Sequence, residues 1–234
     1  MPESCGMRDI SEVKNLEVDN YKEIKPENGM TQGESRFFWD NVFREKKDDG
    51  AKGDPTESLE TKKEQNPHTE VKDGETYYYD DNGKLYRVGR ELALDSKYEL
   101  NGYEYKTDEK GRIISAEGTL HLKNREGRLP IRDSIEDIGK GDQQERDDRG
   151  HLIGDQFDGS NGLENMIPQD AEINRNDFKN FENELADAVK GGKEVNVNIE
   201  PIYEGESRRP VAIAVTYSID SEESIRIFPN GKEK

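Results

Sequence analysis

DDRGHLIGDQFDGSNGLENMIPQDAEINRNDFKNFENELADAVKGG, residues 147–192, is the stretch on which the reading of the fold turns. In its second half Ile173, Phe178, Phe181, Leu185, Ala188 and Val189 recur at helical spacing, and Gly191-Gly192 stops the run. Its first half collects side chains suited to one chemistry. Phosphodiester hydrolysis needs a base for water, a cation for charge on the leaving oxygen, and donors for the phosphate. His151 suits the first role, because an imidazole is neutral yet basic near neutral pH. The side-chain oxygen of Asn174 suits magnesium, which takes oxygen ligands and keeps most of its waters. Arg149 offers a rigid fork of donors for phosphate.

Upstream, the pattern has period two. Tyr77-Tyr78-Tyr79 and Lys84 to Val88 flank Asn82-Gly83, and Tyr98 to Leu100 and Tyr103 to Thr107 flank Asn101-Gly102, so two hairpins are expected. A long strand follows over 112–122, after the turn Asp108-Glu109-Lys110-Gly111. Downstream, Val195 to Ile199 and Val211 to Tyr217 alternate as strands, with an edge strand at 220–228. The fold class is α+β, an antiparallel sheet with one long helix against it. Residues 1–72 read differently. A capping-box spacing at Thr31 and Glu34 precedes an aromatic helix over Phe37 to Phe43, and Lys46 to Lys72 reads as a disordered acidic linker, which places the domain proper at 73–234.

Hydrophobic residues make up 29% of the chain and charged residues 38%, with a mean hydropathy of −1.15, so incomplete packing is expected. No apolar run is long enough to span a bilayer, no secretory signal is legible at the start, and a single cysteine, Cys5, excludes an internal disulfide. The net charge of −18 runs against nucleic-acid binding, which is driven by neutralising phosphates. It is uneven: residues 87–147 carry 12 bases and 14 acids (−2), whereas 1–86 and 148–234 each carry −8. The middle segment gathers Lys123, Arg125, Arg128, Arg132 and Arg146, so a local basic groove is expected there.

Three blocks then carry a resemblance. Asp148-Arg149-Gly150-His151, Asn165 to Gln169, and Ile173 to Phe178 with Glu182 resemble the DRGH, NxxPQ and LNxGxWxxLE blocks of the DNA/RNA non-specific endonucleases, the ββα-metal or His-Me finger class. The runs from Tyr77 to Asn230 are most similar to the EssD-like nuclease modules of type VII secretion and other polymorphic bacterial toxins. The resemblance implies a ββα-metal core in which His151 activates water, Asn174 is the direct ligand of Mg2+ (with Mn2+ as a substitute), Arg149 stabilises the phosphate and Glu182 orients metal-bound waters. Asp148, Asn165 and Gln169 would support the site; Arg146, Arg175, Arg208 and Arg209 are further candidates for phosphate contact. Asn176 stands where the family has glycine and is expected to crowd the turn into the helix. Phe178 stands where it has tryptophan, a tolerable change of packing. The resemblance also implies a DNA or RNA substrate, a cognate immunity protein, and a secreted effector acting in the cytoplasm of a target cell.

Taken singly, each residue has a plainer reading. A histidine on a strand is usually structural, as expected for His68 and His121; Asn174 could be a helix N-cap, Glu182 a solvated position, and Arg208-Arg209-Pro210 a turn. Two rival functions stay open: a catalytically idle binding module derived from a nuclease, which the acidic balance favours, and an acidic immunity or nucleic-acid-mimic protein, which leaves the three ordered blocks unexplained.

Overall fold

The computed structural model describes residues 67–231. The aromatic helix expected over Phe37 to Phe43 and most of the expected linker lie outside the described residues. The linker's end is corrected: His68–Lys72 forms strand β1, paired antiparallel with β2 (Glu75–Tyr79) through Lys72↔Glu75 to His68↔Tyr79. The ordered unit therefore begins on the N-terminal side of residue 73.

Both expected hairpins form. β2 turns through Asn82-Gly83 into β3 (Leu85–Val88), and with β1 and the short β4 (Glu91–Leu92) makes a four-stranded sheet ordered β1-β2-β3-β4. β5 (Lys97–Leu100) turns through Asn101-Gly102 into β6 (Tyr103–Thr107). Asn101 and Gly102 both have positive φ, 54° and 78°, as a two-residue hairpin turn demands. The turns at 80–84 and 108–112 are copies in chemistry. Asp80 Oδ1 accepts from the amides of Asn82 and Lys84 (2.9 and 2.8 Å), and Asp108 Oδ1 accepts from those of Lys110 and Arg112 (both 2.9 Å).

β7 (Ile113–Thr119) joins β10 (Val195–Ile202), β11 (Ala212–Ile219) and β12 (Glu222–Pro229) in a six-stranded antiparallel sheet, ordered β12-β11-β10-β7-β6-β5. β10 buries every second residue, Val195, Val197, Ile199 and Pro201, as its alternation predicts. Against β11 and β12 lies helix α2 (Lys179–Lys190), with α1 the short helix Ile135–Gly139. Phe181 meets Tyr217 and Phe178 meets Phe228 edge-on, each at 5.1 Å between ring centroids. Phe178 is thus buried within the aromatic cluster.

A separate two-stranded ribbon, β8 (Asp147–His151) and β9 (Met166–Asp170), holds the motif residues. Side chains from other elements fasten it. Asn230, just past β12, accepts from the Asp170 amide (2.8 Å) and donates to the carbonyls of Pro168 (2.9 Å) and Pro210 (2.8 Å). Arg209 grips Asp147 with two donors, at 2.7 and 2.8 Å. The loop 152–165 between the strands is pinned from below by the large sheet: Tyr103 donates to the Phe157 carbonyl (2.7 Å) and Tyr98 to that of Glu164 (2.9 Å). His121 stacks on Tyr103, and His68 on Tyr79.

Candidate active site

In the ladder of the ribbon Asp148 faces Gln169, Gly150 faces Ile167 and His151 faces Met166. Past His151 the strand pairing is continued by one side chain. Asn165 is fully buried; its Oδ1 accepts from the Ile153 amide (2.9 Å) and its Nδ2 donates to the carbonyls of Ile153 (2.8 Å) and Ser160 (2.7 Å). Asn165 therefore fixes the backbone two residues beyond the histidine. Gln169 is also fully buried and lies over Gly150, where any Cβ would collide with its amide. Neither polar atom of that amide has a partner among the described residues, and leaving such atoms unpaired costs about 1–3 kcal/mol each.

The ribbon and the loop that follows it meet the helical segment at Asp148 and at Gly154, and His151 stands midway between them in sequence (151 − 148 = 154 − 151 = 3). At the first point Asp148 Oδ2 accepts from Asn174 Nδ2 (3.0 Å), and both Asp148 oxygens accept from Arg175 (2.8 and 2.6 Å). Burial opposes charge on Asp148, but the hydrogen bonds from Arg175 and Asn174 outweigh it and hold its carboxyl below the usual range. At the second point the Glu182 carboxylate lies against Gly154, where a Cβ would displace it.

The segment carrying Asn174 departs from the expected helix. Ile173–Phe178 is a π-helix that passes into α2. Its start is capped by Asp170, whose Oδ1 accepts from the amides of Glu172 (2.9 Å) and Ile173 (3.4 Å), so Asn174 lies inside the helical segment and the N-cap reading is removed. Eight residues separate Asn174 from Glu182 (182 − 174), about 2.2 turns at α pitch. The wider π turn brings that spacing nearer to two whole turns and so nearer to one face. Asn176, the residue expected to crowd this turn, is exposed within the π-helix.

Electrostatics divide the two titratable groups. Burial first, then the positive charge of Arg128, lower the His151 pKa to about 4; Asp155 pulls the other way, and Arg149 adds the smallest lowering. His151 is therefore a neutral imidazole across the physiological range. Burial pushes the Glu182 carboxyl up to about 7, with Arg128 and Lys179 pulling it down and Asp155 pushing it further up. A carboxyl whose folded pKa exceeds its usual 4.5 binds more protons folded than unfolded between those values, so its contribution to stability is lost as pH rises from about 4.5 to about 7. Glu182→Gln should thus be more stable than the parent at pH 8 and show no such gain at pH 4. Discounted for partial exposure, the difference is on the order of 2 kcal/mol. Thermal melts of both proteins at the two pH values check this, and an equal offset at both would refute it.

The structure sorts the arginines. Arg149 donates to the Asp133 carbonyl (3.0 Å) through one nitrogen and meets no carboxylate among the described residues. Arg175 is spent on Asp148 at the rim of an open cleft also lined by Arg146, Glu172 and Asn176. Arg146 is largely exposed, 3.7 Å from Glu172. One expectation needs correction. Arg209 is buried between Asp147 and the Asn230 carbonyl (2.8 Å), so its donors are not turned to a phosphate. Arg208 donates to the Lys110 carbonyl (2.6 Å), and its backbone amide to Asp142 (2.7 Å). Of the bases expected to form a groove, Lys123 and Arg125 pair with Asp155 and Arg132 with Glu164, which leaves Arg128 without a carboxylate among the described residues.

A resident divalent metal fits the donors present. With its Nδ2 given to Asp148, Asn174 keeps its side-chain oxygen unbonded, and the Glu182 carboxylate is on the same helical segment. No group of three or more His, Cys, Asp and Glu side chains among the described residues could hold a metal. Such a sparse, oxygen-donating set suits a hard cation that keeps most of its waters.

The residues 94–221, which enclose all of these groups except Asn230, match the family model described as DNA/RNA non-specific endonuclease. The chain is 36% identical over 137 residues to the type VII secretion system protein EssD of Staphylococcus aureus strain USA300, covering 55% of this chain and 22% of that protein. It is 30% identical over 90 residues to the probable deoxyribonuclease RhsA of Dickeya dadantii strain 3937, covering 38% of this chain and 6% of that one. A solved structure titled Sda1 nuclease with bound zinc ion aligns at a TM-score of 0.41 and 20% identity over 54% of this chain and 75% of the other. The chain thus spans about a fifth of the length of its EssD relative. On the match of more than half its length, it belongs to the DNA/RNA non-specific endonuclease family, as an EssD-like nuclease.

Proposed function

We propose that the nuclease activity of this family takes the form, in this chain, of Mg2+-dependent hydrolysis of phosphodiester bonds in DNA, with RNA as an alternative substrate and little base specificity. The observation that carries the reading is the pair of ribbon–helix contacts flanking His151, Asp148 with Asn174 on one side and Gly154 with Glu182 on the other. His151, neutral because burial and two arginines disfavour its charge, accepts the proton of the attacking water. Arg149, with one nitrogen on the Asp133 carbonyl and the rest of its fork open, donates to the phosphate oxygens. Asn174 would hold the metal through its side-chain oxygen, oriented by Asp148, and Glu182 would hold the metal's waters. A divalent cation bound there supplies positive charge for the leaving oxygen.

Similarity to EssD and RhsA supports a role as the toxic module of a secreted bacterial protein acting in a target cell's cytoplasm, restrained in the producer by an immunity protein. No helix among the described residues is long and apolar enough to cross a membrane. The net charge of −18 favours the second reading, a catalytically idle nucleic-acid- or protein-binding module.

Plasmid nicking separates the two. Cleavage is expected with magnesium or manganese and none in excess EDTA; Asn174→Ala should raise the magnesium needed for half-maximal rate by roughly tenfold or more, and Glu182→Ala less. Full cleavage in EDTA would overturn the metal assignment, and an inert, well-folded protein would favour the idle module.

A further inference from the structure

Asp155 follows Gly154 directly and opens the short 3-10 turn Asp155–Phe157. Its carboxylate gathers a loop from the far side of the chain: Oδ2 accepts from Lys123 (2.5 Å), and Oδ1 accepts from Arg125 (2.7 Å) and from the Leu129 amide (3.3 Å). The loop also closes on itself, since Lys123 and Arg125 both donate to the Gly127 carbonyl, and its base is tied by the Lys123 amide to the Gln156 carbonyl (3.0 Å). The result is a fixed arch, 123–129, standing on the backbone immediately after the histidine. Two of its three cations are consumed in holding it there. The third, Arg128, is exposed and has neither carboxylate nor carbonyl partner among the described residues. Its charge nevertheless acts on both His151, three residues before Gly154, and Glu182, whose carboxylate packs against Gly154. An arginine left unpaired at such a place, in a chain of net charge −18, has an open fork and no acid among the described residues to satisfy it.

We propose that Arg128 is a phosphate-contacting residue of the active site, carried by the 123–129 arch and set in place by Asp155, which acts as a positioning residue. The inference rests on the nuclease reading above and adds a second arginine to Arg149, from a different part of the chain, on the backbone of a bound strand. Arg128 contributes its charge where the overall field of the protein is unfavourable, so its effect falls on both binding and rate.

The test measures binding of a fluorescent DNA duplex in EDTA across a salt series, and cleavage in magnesium, for the full chain. Arg128→Ala is expected to fold normally, since it removes no hydrogen bond or ion pair among the described residues. It should weaken DNA binding about tenfold and lower the salt slope by about 1, with Arg128→Lys recovering the slope but not the full rate. Lys190→Ala, which removes a charge paired with Asp187 at the end of α2, should leave the slope unchanged. Asp155→Asn should split the two readouts, because it frees Lys123 and Arg125: binding in EDTA tightens while kcat falls. If the parent cleaves DNA and Arg128→Ala matches it in affinity, slope and rate, the proposal fails while the nuclease reading stands. If the parent neither binds nor cleaves, both fall. Asp155→Asn that loses affinity, rate and melting temperature together would overturn its positioning role.

Discussion

His151→Ala is expected to lower the rate of plasmid nicking by about 10²–10⁴-fold, the range that a positioned proton acceptor contributes. The fold should survive. The ring is buried at the end of β8, but no hydrogen bond within the described residues depends on it, and the backbone beyond it is held by Asn165. Affinity for DNA in EDTA should therefore stay near that of the parent while turnover collapses. A mutant that melts like the parent and keeps more than a tenth of its rate would mean that another group takes the proton.

The second large effect is on stability. Arg87 of β3, Asp133 and Glu164 form a buried cluster, 3%, 8% and 0% exposed, in which Arg87 donates to Asp133 (2.8 Å) and to Glu164 (3.1 Å) and lies 4.5 Å from the centre of the Tyr78 ring. Asp133 also accepts from the Leu163 amide (2.6 Å). Burial opposes the Asp133 charge, yet the hydrogen bond from Arg87 prevails and its carboxyl is held below the usual range. Arg87→Met would leave Asp133 buried without its cation and Glu164 with Arg132 alone, a change that typically costs about 3–5 kcal/mol. For a domain of this size that is a fall in melting temperature of roughly 6–20 °C. Differential scanning calorimetry at pH 7 reads it, and a fall of less than about 2 °C would show that solvent or rearrangement compensates the acids. The cluster also reaches the site, because the carbonyl of Asp133 is the one that accepts from Arg149.

What could be read from the sequence was what is decided locally. The two hairpins are written in their turns, where Asn-Gly and the Asp carboxylates organise four or five residues at a time. The helix and the outer strands show in their periodicity. The catalytic candidates were legible from block order, and the structure places Asp148, Arg149, His151, Asn165, Gln169, Asn174 and Glu182 on one ribbon, the loop beside it and one helical segment. The ribbon itself was not. Asp147–His151 is mostly polar, and Met166–Asp170 is buried at all five positions and interrupted by Pro168, so neither alternates. Pairings across 46 and 77 residues, such as Arg87 with Asp133 and Glu164, leave no local trace. The same holds for Arg209: an arginine pair before a proline looks the same whether it faces solvent or an aspartate 62 residues away. The π-helix at Asn174 is a departure from α-periodicity that the apolar stripe tolerates, so the stripe did not reveal it.

Asn230 gives the order of synthesis a bearing on activity. The ribbon that carries His151 is fastened by the side chain of a residue made 79 positions later (230 − 151). At about 5–20 residues per second the ribosome takes roughly 4–16 s to cover that distance. Once Glu182 has been added, the nascent chain holds Asp148, His151, Asn174 and Glu182 but still lacks the clasp that joins Asp170, Pro168 and Pro210. Fastening of the candidate site is thereby deferred until the segment carrying Asn230 has been synthesised.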